Sequence, residues 1–257
     1  MEVELFENYP KARPPLPPAI EAIYVEHYRA NRRGRTVASG WSQRLEGWLH
    51  RQVASDLRGV TRASTATLEL GAGTLNQLPY EPEGEAYDIV EPFVALYADS
   101  PLRARVRTIY ADITEIEPER RYDRITSVAT LEHACDLPGL IALSGLHLAA
   151  GGVFRASIPS EGTLLWTLGW KLTTGLEFRL RRGLDYGALM RHDHVNTADE
   201  IEEVLGHFFA RRICRVLGFS RRFSLYRYYE CRDPDLGRCR AFLAARESSL
   251  APSRRAA

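Results

Sequence analysis

Lysine is nearly missing from this 257-residue chain: Lys11 and Lys171 are the only two, and arginine carries the remaining basic charge. That charge is balanced, with 34 basic residues against 33 acidic ones and a net charge of +1. The chain therefore lacks both the field that coats nucleic acid and a long acidic tail, so nucleic acid is not the expected partner. No apolar run approaches the roughly 20 residues that span a bilayer, which argues against membrane insertion. Met1-Glu2-Val3-Glu4 has neither the basic nor the apolar region of a secretion signal. The four cysteines, Cys135, Cys214, Cys231 and Cys239, lack the close pairs of zinc or redox motifs. They read as reduced thiols of a cytoplasmic protein. There is no internal repeat, and nothing in the sequence signals an oligomeric state.

What is present is ordinary globular composition, 45% hydrophobic and 26% charged, enough for one large domain with an appended cap. Residues 1–60 read as an N-terminal arm and helical cap. Five prolines between Tyr9 and Pro18 predict an extended arm. Pro18 then opens a helix whose Ile20, Ile23, Tyr24 and His27 share a face. A basic loop, Asn31 to Thr36, separates it from a second helix starting near Ser42, with Leu45, Trp48, Leu49 and Val53 on one side. Residues 61–235 form the core. Apolar runs at Ala66–Leu70, Ala86–Val90, Val106–Tyr110, Ile125–Ala129 and Val153–Ile158 alternate with helical segments, the pattern of an α/β, doubly wound, mostly parallel sheet. Thr197 and Glu200 make a capping box before Ile201, Val204, Leu205 and Phe208. Arg212–Phe219 and Phe223–Cys231 predict a terminal antiparallel hairpin. Residues 236–257 are a tail, helical at first and frayed from about Ser248.

The first strand runs into Gly71-Ala72-Gly73-Thr74, a turn that lets a ligand approach main-chain N–H groups. Such turns also join strands to helices with no ligand present. Three acids narrow the choice. Glu91 ends the second strand 20 residues beyond Gly71, where a carboxylate accepts both hydrogens of a ribose diol. Asp112 ends the third strand, placed to accept from an adenine amino group. Glu69 lies two residues before Gly71, where it organises the turn near a cationic ligand.

These positions resemble the binding motifs of class I S-adenosylmethionine-dependent methyltransferases from about Ser64 to Cys231. Thr130-Leu131-Glu132-His133 resembles the branch with a Leu-Glu-His signature after the fourth strand. The resemblance implies a Rossmann-like seven-stranded sheet of order 3-2-1-4-5-7-6 and S-adenosyl-L-methionine as cofactor. It further implies methionine-moiety contacts at Gly71 to Gly73, ribose contact at Glu91 and adenine contacts at Asp112 and Ile113. Thr74, Asn76, Pro92, Val128 and Ala129 complete the implied cofactor set. One departure stands out: Pro79 follows the turn so closely that the first crossover helix is expected to be short or distorted. A nicotinamide enzyme shares the turn and the acid, but Asn76 occupies the place of the third glycine of G-x-G-x-x-G.

On the acceptor side His133 is a candidate base, with packing on the cofactor or capping of a helix near Asp136 as the competing reading. Pro159 to Asn196 is the expected variable lid. It carries Trp166, Trp170, Phe178 and Tyr186 among Arg179, Arg181 and Arg182, and it ends in His192-Asp193-His194. His192 and His194 either orient the acceptor or make ordinary hydrogen bonds. With no third and fourth ligand in view, no metal site is expected. The arginines either form a solvated face or grip an anionic acceptor. The leading function is O- or N-methylation of a small-molecule acceptor. The N-terminal block and Glu161-Gly162 resemble methyltransferases of specialised-metabolite or surface-glycan biosynthesis. An RNA methyltransferase and a non-catalytic cofactor-binding partner are the alternatives.

Overall fold

The computed structural model describes residues 6–21, 39–60, 62–84 and 86–250. Ile23, Tyr24, His27, the 31–36 loop, the side chain of Leu45 and everything after 250 lie outside them.

Seven strands make the main sheet: β1 (Thr67–Leu70), β2 (Tyr87–Val90), β3 (Thr108–Tyr110), β4 (Tyr122–Val128), β5 (Leu148–Pro159), β6 (Phe209–Gly218) and β7 (Ser224–Pro234). Their order is β3-β2-β1-β4-β5-β7-β6, the order that the resemblance implies. The first five are parallel, and β7 runs antiparallel to both β5 and β6. β1 and β2 are buried along their whole length, as expected of parallel strands covered on both faces. A small parallel pair, Arg62–Ala63 with Glu83–Gly84, stands apart; runs of two residues carry no periodicity to detect.

The helices are α1 (Ser39–Val53), α2 (Leu137–His147), α3 (Leu164–Trp170), α4 (Leu176–Arg182), α5 (Tyr186–Asp193), α6 (Ala198–Phe208) and α7 (Leu236–Leu250). Thr197 caps α6 with Glu200 in a complete capping box. Its Ile201, Val204, Leu205 and Phe208 join Leu137 and Ile141 of α2 in the larger core. The tail helix α7 remains helical through Leu250, two residues past the expected fraying point, and its Cys239 is buried in that same core.

The crossovers of the first half differ from the alternating helices that the pattern suggested. Among the described residues, the helical structure in the crossovers between β1 and β4 is limited to 3₁₀ turns, at Leu78–Tyr80, Val94–Leu96, Pro101–Arg105 and Ile113–Glu115. Pro79, Pro82, Pro92, Pro101 and Pro118 punctuate these stretches, and proline cannot continue the helical hydrogen-bond ladder. The short first crossover follows from the early proline, as expected.

Two arginines from the sheet fix α1. Arg155 on β5 donates to the carbonyls of Val53 (2.7 Å) and Gln52 (3.1 Å), to Ser55 Oγ (2.7 Å) and to Glu230 (2.7 Å). Arg124 on β4 donates to Asp56 (2.8 Å), to Glu81 (2.8 Å) and to the Val53 carbonyl (3.3 Å). Both side chains are buried. They satisfy the carbonyls that the C-terminal end of any helix leaves without an intrahelical partner.

Candidate functional site

The glycine turn at the end of β1 requires left-handed backbone: φ is 67° at Gly71 and 52° at Gly73. A Cβ on Gly71 would stand 2.3 Å from Thr130 Cγ2, so the turn and the end of β4 touch closely. Glu91 braces this turn from β2: one carboxylate oxygen accepts from Gly73 N–H (2.7 Å), the other from Phe93 N–H (2.9 Å). Glu69 is buried beneath it and accepts from the Tyr87 hydroxyl at 2.9 Å. Burial pushes the Glu69 carboxyl up to about 8, with the charges of Glu81 and Glu91 adding to the shift and the Tyr87 hydrogen bond opposing it.

A cavity of about 310 Å³ opens over this turn. Of the residues expected to bind the cofactor, Glu69, Gly71, Ala72, Thr74, Asn76, Val128 and Ala129 line it. Gly73, Glu91 and Pro92 lie just behind the wall, at the turn and the end of β2, and are not among the lining residues. Asp112 is exposed and caps the 3₁₀ turn after β3, accepting from Thr114 N–H (2.9 Å) and Oγ1 (2.7 Å). The Ile113 side chain is buried in the larger core, which leaves its main chain as the part that can meet a base.

The opposite wall brings together residues distant in sequence. His133 follows β4 in a 3₁₀ turn, and its Nδ1 lies 2.8 Å from the Asp193 carbonyl. A carbonyl only accepts, so Nδ1 carries the hydrogen, and Nε2 lies 3.8 Å from Glu132 Oε1. His194, just past α5, packs edge-on against His133 with ring centroids 4.9 Å apart. Its Nδ1 meets Glu161 Oε2 at 2.8 Å, and the same oxygen accepts from Trp166 Nε1. Burial disfavours charge on His194. The Glu161 hydrogen bond, with the negative charges of Glu132, Glu161 and Asp193, outweighs burial and raises its pKa above the ordinary histidine range.

His192 lies elsewhere. Residues two apart on a helix face different ways, and His192 Nδ1 turns outward to the Pro14 carbonyl at 2.7 Å. Its expected role beside the acceptor therefore has no counterpart in this cavity. The expectation of no metal set also changes: Glu132, His133 and His194 offer three ligand atoms within 4.8 Å of one another. A raised pKa on His194 sets protonation against metal binding there.

Glu46, Leu49 and His50 of α1, with Gln77, Glu132, Trp166 and Tyr226, also line the cavity. His50 Nδ1 lies 2.8 Å from Gln77 Oε1, and burial lowers its pKa, so it enters the wall as a neutral ring. Sequence reasoning placed Leu49 in a helix core and Trp166 in a lid, named Glu132 only within the Leu-Glu-His signature, and gave Glu46, His50, Gln77 and Tyr226 no role in the site. Nothing in linear spacing joins Glu46, Glu132 and Tyr226; only the sheet topology does.

The N-terminal arm straps the second wall. Lys11 donates from its main chain to the Cys135 carbonyl (2.8 Å) and from Nζ to the Val195 carbonyl (2.9 Å). Arg13 donates to the carbonyls of His133 (2.8 Å), His192 (3.0 Å) and Asp193 (3.2 Å).

No protein-family model matches this chain, and no curated protein matches it in sequence. Solved structures do. An S-adenosylmethionine-dependent methyltransferase from Thermotoga maritima, described as a possible histamine N-methyltransferase, aligns with a TM-score of 0.50, covering 83% of this chain and 97% of its own at 12% identity. DhpI in complex with S-adenosylhomocysteine aligns with a TM-score of 0.51, covering 84% and 97% at 16% identity. At such identities the likeness is one of fold, and the fold is the class I methyltransferase fold.

Proposed function

We propose that this chain, built on the class I methyltransferase fold, binds S-adenosylmethionine and methylates a small-molecule acceptor carrying a hydroxyl or amine. The observation that carries the reading is the shared cavity, which Gly71, Ala72 and Thr74 of the turn line together with His133 and His194. Gly71 keeps its left-handed backbone with Thr130 packed against it, and the bare turn borders the cavity, where a ligand can approach its main chain. A dinucleotide fits less well. Its pyrophosphate needs a helix N-terminus after the glycine turn, and this chain has a 3₁₀ turn there.

When bound, S-adenosylmethionine supplies an electrophilic methyl group on a sulfonium. The protein's own part is placement, which in well-oriented systems contributes on the order of 7–11 kcal/mol, together with management of one proton. His133 takes the proton of an acceptor hydroxyl at Nε2. The Asp193 carbonyl fixes the tautomer, and Glu132 Oε1, 3.8 Å from Nε2, stabilises the imidazolium that forms. His194, held by Glu161, orients an acceptor oxygen from the side. The departing thioether is neutral and needs no acid.

Calorimetry with S-adenosylhomocysteine, followed by mass spectrometry of a metabolite pool incubated with labelled cofactor, tests the reading. Tight binding and one methylated product are expected; preference for a nicotinamide dinucleotide would overturn it. His133→Ala should lower kcat by about 10²–10⁴-fold at unchanged S-adenosylhomocysteine affinity. His194→Ala should mainly raise the acceptor KM.

A further inference from the structure

Between β5 and α5 the chain makes one continuous helix. α3, a π-helical segment (Lys171–Gly175) and α4 join through residues of right-handed helical conformation, and Gly183 (φ 68°) closes the end. Nineteen residues at 1.5 Å each span about 28 Å. One side of this helix packs inward: Trp166 meets Tyr226, and both Trp170 and Phe178 meet Tyr186. The other side carries Leu164, Leu168, Leu172, Leu176 and Leu180, with 45–78% of each exposed. Leucines four residues apart drift about 40° per step around an α-helix. The wider π turn in the middle takes up part of that drift and keeps them in one stripe. A helix apolar on both sides belongs inside a protein, yet this one is at the surface.

We infer that this helix docks the protein on an anionic lipid surface, lying in the interface with its leucine stripe among the acyl chains. The charge around the stripe selects the occupant. Lys171, Arg179, Arg181 and Arg182 are exposed, and Glu177, the sole acid of the helix, is paired to Arg181 at 3.1 Å. A basic amphipathic helix of this composition matches the negative headgroups of a bilayer leaflet. The ammonium of Lys171 lies over the Trp170 ring, 5.7 Å from its centroid, an aromatic–cation arrangement suited to the headgroup level. The β6–β7 hairpin tip adds to the same end of the molecule: Phe219 is 97% exposed, Phe223 and Arg222 are exposed too, and β7 begins against α3. A second copy of this chain fits less well. Two-fold pairing along the stripe centres near Leu172, sets Lys171 beside its own copy, and offers the arginines no acid from residues 164–170. No described helix is long and apolar enough to cross a membrane, and docking in the interface needs no such helix. The inference stands apart from methyl transfer and is tested without it.

The full-length protein is floated on a density gradient with vesicles of phosphatidylglycerol and phosphatidylcholine, and separately with phosphatidylcholine alone. Association with the anionic vesicles, weakened by salt, is expected. Leu172→Glu with Leu180→Glu alters only exposed positions and should cut partitioning at least tenfold. Arg181→Gln and Arg182→Gln should each cost about fivefold. Unchanged S-adenosylhomocysteine binding or circular dichroism serves as the check on folding. Wild-type protein that ignores both vesicles, binds both equally, or binds equally well after the leucine changes would overturn the inference. A dimer in light scattering that Leu172→Glu dissolves, with no vesicle binding, would assign the stripe to self-association instead.

Discussion

Gly71 holds a left-handed conformation with Thr130 against it. Alanine there adds about 1–2 kcal/mol of backbone strain and a collision that pushes the end of β4 away. Gly71→Ala should lower the denaturant midpoint and weaken S-adenosylhomocysteine binding more than tenfold; unchanged binding would show that the turn tolerates a side chain and is no cradle. Glu69 gives a subtler signal. With its carboxyl raised to about 8, it is mostly protonated at neutral pH, and a cation bound beside it favours the ionised form. Ligand binding should therefore release a proton and strengthen as pH rises toward 8. Calorimetry in buffers of different ionisation enthalpy measures that proton, and Glu69→Gln should abolish the effect. The sulfonium should release more than the neutral thioether product does.

Among the elements, α1 shows best what the sequence carries and what it hides. Leu49 and Val53 mark its buried face by helical spacing, and both are fully buried. The arginines that hold it are on β4 and β5, in strands whose apolar runs gave no reason to expect buried guanidinium groups. Arg155→Met removes the donor to the Gln52 carbonyl and Ser55 and leaves the Val53 carbonyl with Arg124 alone, while Glu230 keeps Arg232 and Tyr228. Each buried acceptor left unsatisfied costs about 1–3 kcal/mol. Because α1 contributes Glu46, Leu49 and His50 to the cavity, the variant should lose both stability and ligand affinity. Loss of stability alone, with ligand affinity kept, would show that α1 does not shape the site. The strands and the glycine turn were legible because each rests on local period and turn chemistry, whereas the strand order came only through the family resemblance. The pairing of His194 with His133 was not, since α5 decides which histidine of His192-Asp193-His194 faces inward. The missing crossover helices were half legible: Pro79 announced one, while the prolines at 82, 92, 101 and 118 were not weighed as helix breakers.

At the scale of the whole molecule, the strap formed by Lys11 and Arg13 joins residues more than a hundred positions apart. Arg13 reaches His133 across 120 positions and His192 across 179. Closing such long loops costs entropy before any contact repays it, so the strap is expected to form late in folding. Replacing Lys11 and Arg13 with alanine should then speed unfolding while leaving the folding rate nearly unchanged. Stopped-flow chevrons separate the two limbs, and slowed folding would place the strap in the nucleus instead. Synthesis on the ribosome imposes the same order in time. The arm emerges ahead of all these partners, the last of them about 180 residues later. Its later partners, His192 to Val195, emerge after β5 and before β6 and β7, so a nascent chain can close the strap on this wall while the antiparallel edge of its sheet is still to be made.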